Sequence, residues 1–192
     1  MKKIIAVLLL VCCVLSLSSC GLLIDVVFGA ITRVFPDYEE PDAEFHAERV
    51  SITLTESFFA YEEYDDHYSF MSANSTTVTV EKYPFVSSIF EEGKSITEYT
   101  EQMCLEMERI QEDDDIFKLY DFSEVTTRDG YAYFVCSTFS GVEMKCLFSM
   151  FNGGDAIYAV YFICPFFDYE TYEPYFLKWA DSVRIDNANS QA

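Results

Sequence analysis

The residues best suited to metal chemistry in this 192-residue chain lie in the acidic stretch YEEYDDH, at 61–67. There, two carboxylates, Asp65 and Asp66, directly precede His67. Imidazole nitrogen and carboxylate oxygen are common ligands of divalent cations, so these three residues are the candidate metal ligands. Consecutive strand residues point to opposite faces, and Asp66 and His67 therefore converge on one ion only from a loop. The pattern favours a solvated acidic turn over a metal site.

The chain carries no recognisable catalytic signature. It contains two histidines, and neither belongs to a serine-hydrolase motif, a phosphate loop or a zinc-binding pattern. The acidic run at 112–115 lacks the glycine and the ligand spacing of a calcium loop. Carboxylate pairs are frequent, but among 33 acidic residues their proximity does not indicate a glycosidase pair. The sequence therefore predicts a non-enzymatic protein without a cofactor, and the enzyme alternative is a wall-polymer hydrolase that uses paired carboxylates.

A different chemistry, covalent lipid attachment, is indicated at Cys20. Two lysines precede an apolar run over 4–15, as in a secretory signal peptide, and the run is too short to span a membrane. It ends in LSSC at 17–20, which resembles the bacterial lipobox. That resemblance implies that 1–19 is a lipoprotein signal peptide and that Cys20 receives the diacylglyceryl group. The protein is then expected on the extracytoplasmic face of the cell membrane, anchored by lipid.

Two segments are predicted to connect the anchor to the folded part. Residues 20–35 are amphipathic at helical spacing, and two interpretations stay open: the helix lies in the membrane interface, or it packs on the domain. A single uncleaved span across this region would bury Asp25 and Arg33 in lipid, which argues against it. Residues 36–48 are rich in proline and acidic residues, and this composition predicts an extended acidic tether.

The charge of the chain restricts its partners. After residue 19 it holds 10 basic and 33 acidic residues, a formal net charge of −23. Nucleic acid and anionic lipid headgroups repel such a chain. We therefore expect no nucleic-acid partner, and the leading hypothesis is a binding or assembly module for an envelope protein with a basic surface. The alternative is a protein that binds a divalent cation or a small ligand.

Hydrophobic periodicity predicts the elements of one domain at 49–185, followed by a polar tail at 186–192. Alternation predicts a strand and then a hairpin. A capping box at Ser95 and Glu98 predicts the start of a helix. The first strand is predicted at 49–55 and the hairpin at 67–85. The helix is predicted to end just before 112. Four strands of an antiparallel meander follow, and their turns are predicted at Asp129–Gly130, Ser140–Gly141 and Gly153–Gly154.

The closing segment predicts a second helix. Thr171 is its predicted N-cap, which places Pro174 in the first turn, where a missing N–H costs little. Tyr172, Phe176 and Trp179 then form an aromatic stripe that covers the sheet. The order β-ββ-α-ββββ-α predicts an α+β fold, with an antiparallel sheet of about six to seven strands sandwiched by helices.

Four cysteines follow the anchor: Cys104, Cys136, Cys146 and Cys164. An even number in an exported protein raises the question of disulfides. With two-residue turns, however, Val135 lies opposite Cys146, so Cys136 and Cys146 occupy opposite faces of neighbouring strands. We therefore expect free, buried thiols that pack as small apolar side chains.

The pattern over 49–185 resembles the PsbP-like family, which includes photosystem II extrinsic subunits and bacterial lipoproteins. The matching stretches are SITLTESFFAY, TVTVEKY, SITEYTEQM, DGYAYFVCS, GGDAIYAVYFICP and ADSVRI. The resemblance implies the fold of that family and a non-enzymatic binding or assembly role. The chain departs from the photosynthetic members because it has a lipobox and no transit peptide, so a photosynthetic function does not carry over.

Overall fold

The computed structural model describes most of the chain from Pro41 onward. The described residues are 41–64, 67–73, 75–85, 90–110, 118–139 and 141–186. The predicted signal peptide at 1–19, the anchor Cys20 and the amphipathic segment 20–35 lie outside these residues, as do Asp65, Asp66 and 187–192.

Within the described residues the chain forms eleven strands and two α-helices. The strands before the first helix are β1 (Asp42–Ala47), β2 (Val50–Thr55), β3 (Phe59–Tyr64), β4 (His67–Met71) and β5 (Thr77–Pro84). The later strands are β6 (Lys118–Tyr120), β7 (Thr126–Arg128), β8 (Tyr131–Phe139), β9 (Glu143–Asn152), β10 (Ala156–Pro165) and β11 (Arg184–Ile185). The helices are α1 (Ile96–Ile110) and α2 (Tyr169–Ser182), with a 3-10 turn at Phe166–Asp168 before α2.

An antiparallel sheet of eight strands forms the centre of the domain. Its strand order is β3-β4-β5-β10-β9-β8-β6, with β7 paired to another part of β8. Strands β1, β2 and β11 form a second sheet of three strands. The predicted α+β class is confirmed. The large sheet exceeds the predicted six to seven strands because the sequence analysis did not identify β3, and because the first meander strand is divided into β6 and β7.

Both faces of the large sheet carry apolar side chains, so each face has its own core. One core packs the large sheet against α2 and the three-stranded sheet. Representative fully buried members are Leu54, Val78, Leu147, Phe162 and Phe176. The other core packs the opposite face against α1 and includes Tyr99, Phe134, Phe148, Met150 and Ala159. Burial on two faces explains why the central strands read as nearly continuous apolar runs.

The start of α1 follows the predicted capping box. The Ser95 backbone N–H donates to Oε2 of Glu98 at 2.8 Å, and the Glu98 backbone N–H donates to Oγ of Ser95 at 3.3 Å. These reciprocal bonds satisfy two donors that the first turn of a helix leaves without backbone partners. The Ser95 hydroxyl and the Ser95 backbone N–H lower the pKa of the Glu98 carboxyl, because both donate hydrogen bonds to its ionised form.

The start of α2 differs from the prediction. The helix begins at Tyr169, with Asp168 rather than Thr171 as the N-cap residue. Pro174 is therefore the sixth residue of the helix and not part of the first turn. The 3-10 turn at Phe166–Asp168 directly precedes the helix, so the chain turns immediately after β10 and the helix starts three residues earlier than an N-cap at Thr171 would allow.

The predicted tether at 36–48 is wrong over most of its described part. Residues Asp42–Ala47 form β1, which pairs with β2 in register from Asp42 opposite Thr55 to Ala47 opposite Val50. His46 therefore lies in a strand of the domain. β1 is an edge strand with one face toward the core, and its acidic outward side chains are typical of exposed sheet edges. Residues 36–40 lie outside the described part of the chain.

The register of the β8–β9 hairpin also differs from the prediction. Phe139 pairs with Glu143, so the loop contains three residues, 140–142, rather than two. Gly141 has φ +79°, a left-handed conformation that is common in three-residue hairpin loops. One additional loop residue shifts the pairing by one and turns every β8 side chain to the other face. Cys136 consequently lies directly opposite Cys146, on the same face of the sheet.

Candidate functional site

His67 is the one candidate metal ligand that the structure describes, and it lies at the start of β4. Its Nδ1 is 3.1 Å from Oε1 of Glu81, and its Nε2 is 3.1 Å from Oγ of Ser69. Both ring nitrogens therefore have protein partners, Glu81 on the neighbouring strand β5 and Ser69 on β4 itself. A cation that took either nitrogen would first have to displace one of these hydrogen bonds.

Glu81 is the centre of a polar network on the face of the sheet that α1 covers elsewhere. The hydroxyl of Tyr83 donates to Oε2 of Glu81 at 2.5 Å, and the hydroxyl of Tyr161 donates to the same oxygen. The two hydroxyl oxygens are 2.8 Å apart. Burial is the main reason that the pKa of Tyr161 lies well above the usual tyrosine value. The network therefore keeps both tyrosines protonated and satisfies the carboxylate within the protein.

The Glu81 network thus holds strands of the sheet together and is poorly suited to bind a ligand. It joins β4, β5 and β10 through side chains whose polar atoms already have partners. Across the described residues, no group of three or more His, Cys, Asp or Glu side chains is arranged to hold a metal ion. The sequence pointed to His67 through its acidic neighbours, whereas its observed carboxylate partner lies 14 positions away, on the adjacent strand.

A second candidate site lies where β8, β9 and β10 approach the same end of the large sheet. Three apolar side chains are exposed there: Phe139 at 43%, Val142 at 64% and Phe167 at 89%. We refer to Phe139, Val142 and Phe167 as the apical patch. The β8–β9 loop and the turn after β10 are adjacent because Met144 pairs with Pro165. Exposed apolar side chains grouped in this way are characteristic of interaction surfaces.

The base of the apical patch is held in place by aromatic and cationic contacts. The rings of Phe166 and Phe167 meet edge to face, with their centroids 5.7 Å apart. Lys145 Nζ lies 5.4 Å from the centroid of the Phe166 ring and 5.1 Å from that of Tyr169. Contacts between a cation and aromatic rings at these distances are attractive. Phe166 is thereby packed toward the protein, and its neighbour Phe167 projects into solvent.

Charged side chains of both signs border the apical patch. Glu143 and Asp168 directly adjoin it in the sequence, and both are exposed. The Glu143 carboxylate accepts a hydrogen bond from the Tyr120 hydroxyl on β6. Asp121, whose side chain is 67% exposed, lies 4.0 Å from the Lys145 ammonium. Lys118, the exposed strand partner of Phe139, also lies at this border, so the arrangement is an apolar centre with a rim of three acidic side chains and two lysines.

The apical patch was not among the predicted sites, although two local features of the sequence could have indicated it. Phe139 and Val142 flank a Ser–Gly turn, where hairpin loops normally carry polar residues. Phe166 and Phe167 follow the proline that ends β10, outside any alternating pattern. Apolar residues at exposed turns are not explained by packing in the core. They therefore indicate a candidate contact surface.

The described residues also bear on the membrane question. None of their helices combines the length and apolar character needed to cross a bilayer.

Comparisons with known proteins reveal similarity at the level of structure. No protein-family model matches the chain, and no curated protein matches its sequence. The solution structure of a cyanobacterial PsbP protein from Synechocystis superposes with a TM-score of 0.51 at 10% identity, over 89% of this chain and 99% of that one. The Ran-binding protein Mog1p of Saccharomyces cerevisiae superposes with a TM-score of 0.53 at 4% identity, over 78% of this chain and 97% of that one.

Both structures are spanned almost completely by this chain, so the similarity concerns the whole domain. At identities of 10% and 4% the shared property is the fold. The PsbP-like architecture expected from the sequence pattern is confirmed: the chain folds as a mixed α+β domain of the kind found in PsbP and Mog1 proteins.

Proposed function

We propose that this protein is a membrane-anchored bacterial surface lipoprotein whose PsbP-like domain binds another envelope protein through the apical patch. The observation that carries the proposal is the group of exposed apolar side chains, Phe139, Val142 and Phe167, within a rim of three acidic side chains and two lysines. The domain acts as a binding or assembly module and catalyses no reaction. The Ran-binding role stated in the name of Mog1p supports this, because it shows that the fold can serve protein recognition.

The apolar side chains supply the affinity of the proposed contact. An exposed aromatic ring that enters a pocket on a partner removes a large apolar area from water, and such rings often dominate binding energy. Phe167 is the best placed, because it is 89% exposed and projects from a rigid turn between β10 and α2. Little conformational freedom is lost when a side chain on such a support is buried.

The charge of the chain selects the partner. A net charge of −23 after residue 19 repels acidic surfaces and attracts basic ones over several ångströms. Glu143, Asp168 and Asp121 bring this charge to the border of the apical patch. We therefore expect a partner with an apolar pocket bordered by lysine or arginine, and an association rate that falls as salt is added.

The apical patch can be tested by substitution at Phe167. A photo-crosslinking residue at position 167 in living cells identifies the partner, whose affinity for the full-length lipoprotein in detergent micelles is then measured with purified components. We expect Phe167→Ser to weaken binding by about tenfold or more, because a buried aromatic anchor contributes on the order of 2 kcal/mol. The matched control is Phe59→Ser, which changes a half-exposed phenylalanine on β3, at the far edge of the sheet.

Two results would overturn this site. Equal losses of affinity in the Phe167 and Phe59 variants would indicate a general effect of surface apolarity. Unchanged affinity in the Phe167 variant, with circular dichroism equal to that of the wild type, would place the binding surface elsewhere. A binding constant that does not change between low and high salt would refute the role of the acidic side chains in the rim.

The anchor is tested separately at Cys20. We expect Cys20→Ala to leave the protein without its lipid, so that it moves from the membrane fraction to the soluble fraction and lacks the added lipid mass. Fractionation, followed by mass spectrometry of the intact protein, measures both effects. The control is Cys104→Ala, which removes a thiol from α1 and retains the lipobox. A Cys20→Ala protein that stays in the membrane, and whose mass differs from that of the wild type only by the Cys-to-Ala change, would contradict the lipoprotein assignment.

A further inference from the structure

Two cysteines lie directly opposite each other in the β8–β9 hairpin. Cys136 and Cys146 are register partners, and both belong to the core between the large sheet and α1. Both are thiols in this structure, with 1% and 6% of their surfaces exposed. The pairing results from the three-residue loop at 140–142, because a two-residue loop would place the two side chains on opposite faces.

The geometry of an antiparallel pair suits a disulfide. Directly opposed residues have Cα atoms about 4.5 to 5.5 Å apart, and their side chains point to the same face. Disulfides join residues whose Cα atoms are about 4.4 to 6.8 Å apart. The two thiols are close enough to form a hydrogen bond with each other. Little backbone movement is therefore needed to bring the sulfur atoms to bonding distance.

We infer that Cys136 and Cys146 form a disulfide bond when the β8–β9 hairpin folds in the presence of a disulfide oxidant. The Cys136 thiolate attacks one sulfur of the oxidant, breaks its S–S bond and releases one thiol. The Cys146 thiolate then attacks the Cys136 sulfur and releases the second thiol. The two cysteines lose two electrons and two protons in total, and the oxidant, a low-molecular-weight or protein disulfide, becomes two thiols.

The bond must form before the core closes. In the folded protein both sulfurs are buried, and an oxidant in solution does not reach them. The hydrogen bond between the two thiols, together with burial, also raises the pKa of the Cys146 thiol well above the usual value, so its reactive thiolate is scarce. During folding the hairpin is still exposed, and oxidation at that stage fixes the register that the loop sets.

The two other described cysteines are less suitable partners. Cys164 lies in the core on the opposite face of the large sheet, and its strand partner on β9 is Lys145. Cys104 lies on α1 and packs against the same core as Cys136, but across the interface between helix and sheet. The hairpin pair is the one in which the backbone itself fixes the two side chains opposite each other.

Peptide mapping tests the inference on the full-length protein. The chain is unfolded and reduced, refolded in detergent with a mixture of reduced and oxidised glutathione, alkylated and digested with trypsin. Cleavage at lysine and arginine places Cys104, Cys136 and Cys146 in different peptides, at 95–109, 129–145 and 146–178. We expect 129–145 to be linked to 146–178 in most molecules.

Variants identify the bonded atoms. Peptide 146–178 also contains Cys164, so the link is expected to persist in Cys164→Ala and Cys104→Ala and to be lost in Cys136→Ala. Fragmentation of the linked wild-type peptides distinguishes Cys146 from Cys164 even where a variant does not fold. Alkylated Cys136 and Cys146 in natively refolded protein, or a link from Cys136 to Cys104, would overturn the inference.

Timing provides a second readout. The same glutathione mixture added to protein that is already folded and reduced should form the link about tenfold or more slowly than during refolding. Equal rates would contradict the requirement that the bond forms before burial. The bridged protein should also unfold at a higher urea midpoint than the same protein after reduction, because the bond restricts the unfolded chain. An equal or lower midpoint would show that the bridge strains the hairpin.

Discussion

Phe176→Ala lowers the free energy of unfolding by about 3 to 5 kcal/mol, the range observed for large cavities left by buried phenylalanines. Phe176 is fully buried on α2. Its ring centroid lies 5.6 Å from that of Phe162 on β10, 5.9 Å from that of Tyr172 and 5.7 Å from that of Trp179. These neighbours come from a helix and a central strand, and such rigid elements cannot collapse into the space that the ring leaves.

Urea unfolding of the full-length protein, followed by tryptophan fluorescence and circular dichroism, measures this change. The matched control is Phe167→Ala, which removes the same ring from a position that is 89% exposed and should change the free energy by less than about 0.5 kcal/mol. Similar losses in the two variants would mean that α2 does not pack on the sheet through Phe176.

We expect the free energy of unfolding to fall steeply as the pH rises above 10. Tyr131, Tyr158 and Tyr169 are buried, and burial is the main reason that the pKa of each hydroxyl lies above its ordinary value of about 10. Their folded-state pKa values exceed the unfolded ones, so their contribution is fully present below pH 10 and is lost as pH rises through the folded values. Between the unfolded and folded pKa values, each tyrosine that ionises only on unfolding lowers the free energy of unfolding by about 1.4 kcal/mol per pH unit.

Urea unfolding at pH 8, 10 and 11 measures this slope. Tyr131 donates a hydrogen bond of 2.8 Å to Oδ1 of Asp181, and the acceptor charge reinforces the raised pKa of the tyrosine. We therefore expect Tyr131→Phe to be less stable than the wild type at pH 8 and to show a slope smaller by about 1.4 kcal/mol per pH unit. An unchanged slope in this variant would show that Tyr131 ionises equally well in the folded protein.

Local signals in the sequence were sufficient for the elements whose ends are determined locally. The capping box at Ser95 and Glu98 forms within four residues, so it fixed the start of α1 without reference to the rest of the chain. The two-residue turn at Asp129–Gly130 was also correct, since Arg128 pairs with Tyr131. Both features depend on hydrogen bonds and backbone angles of neighbouring residues, and those are properties of short peptides.

The length of a hairpin loop was not determined in the same way. Ser140–Gly141 is compatible with a two-residue or a three-residue loop, and the observed three residues turned β8 over relative to the prediction. At Gly153–Gly154 the predicted pairing was also shifted, but by two, because Asn152 pairs with Ile157. An even shift leaves each side chain on its face, whereas an odd shift reverses the faces. This difference explains why β9 and β10 were oriented correctly and the cysteine pair was missed.

The candidate sites depended on tertiary structure still more strongly. The acidic neighbours of His67 in the sequence predicted a metal or a solvated turn, but the sheet pairs His67 with Glu81 of the next strand. The apical patch forms because β9 and β10 bring the loop at 140–142 beside Phe167. Both arrangements join residues that are distant in the chain, and although apolar residues at two turns are visible in the sequence, nothing local in it shows that those turns are neighbours.

The sequence by itself determined the α+β class, the excess of acidic charge and the ends of α1, and it predicts a lipobox at Cys20; all of these depend on composition or on patterns of a few residues. Tertiary structure decided that 42–47 is a strand, that Cys136 lies opposite Cys146 and that three exposed apolar side chains lie at one end of the sheet. The physical reason is that strand pairing links distant residues through backbone groups common to all amino acids. Packing of the whole core, and not the local residue types, therefore selects the partner and the register.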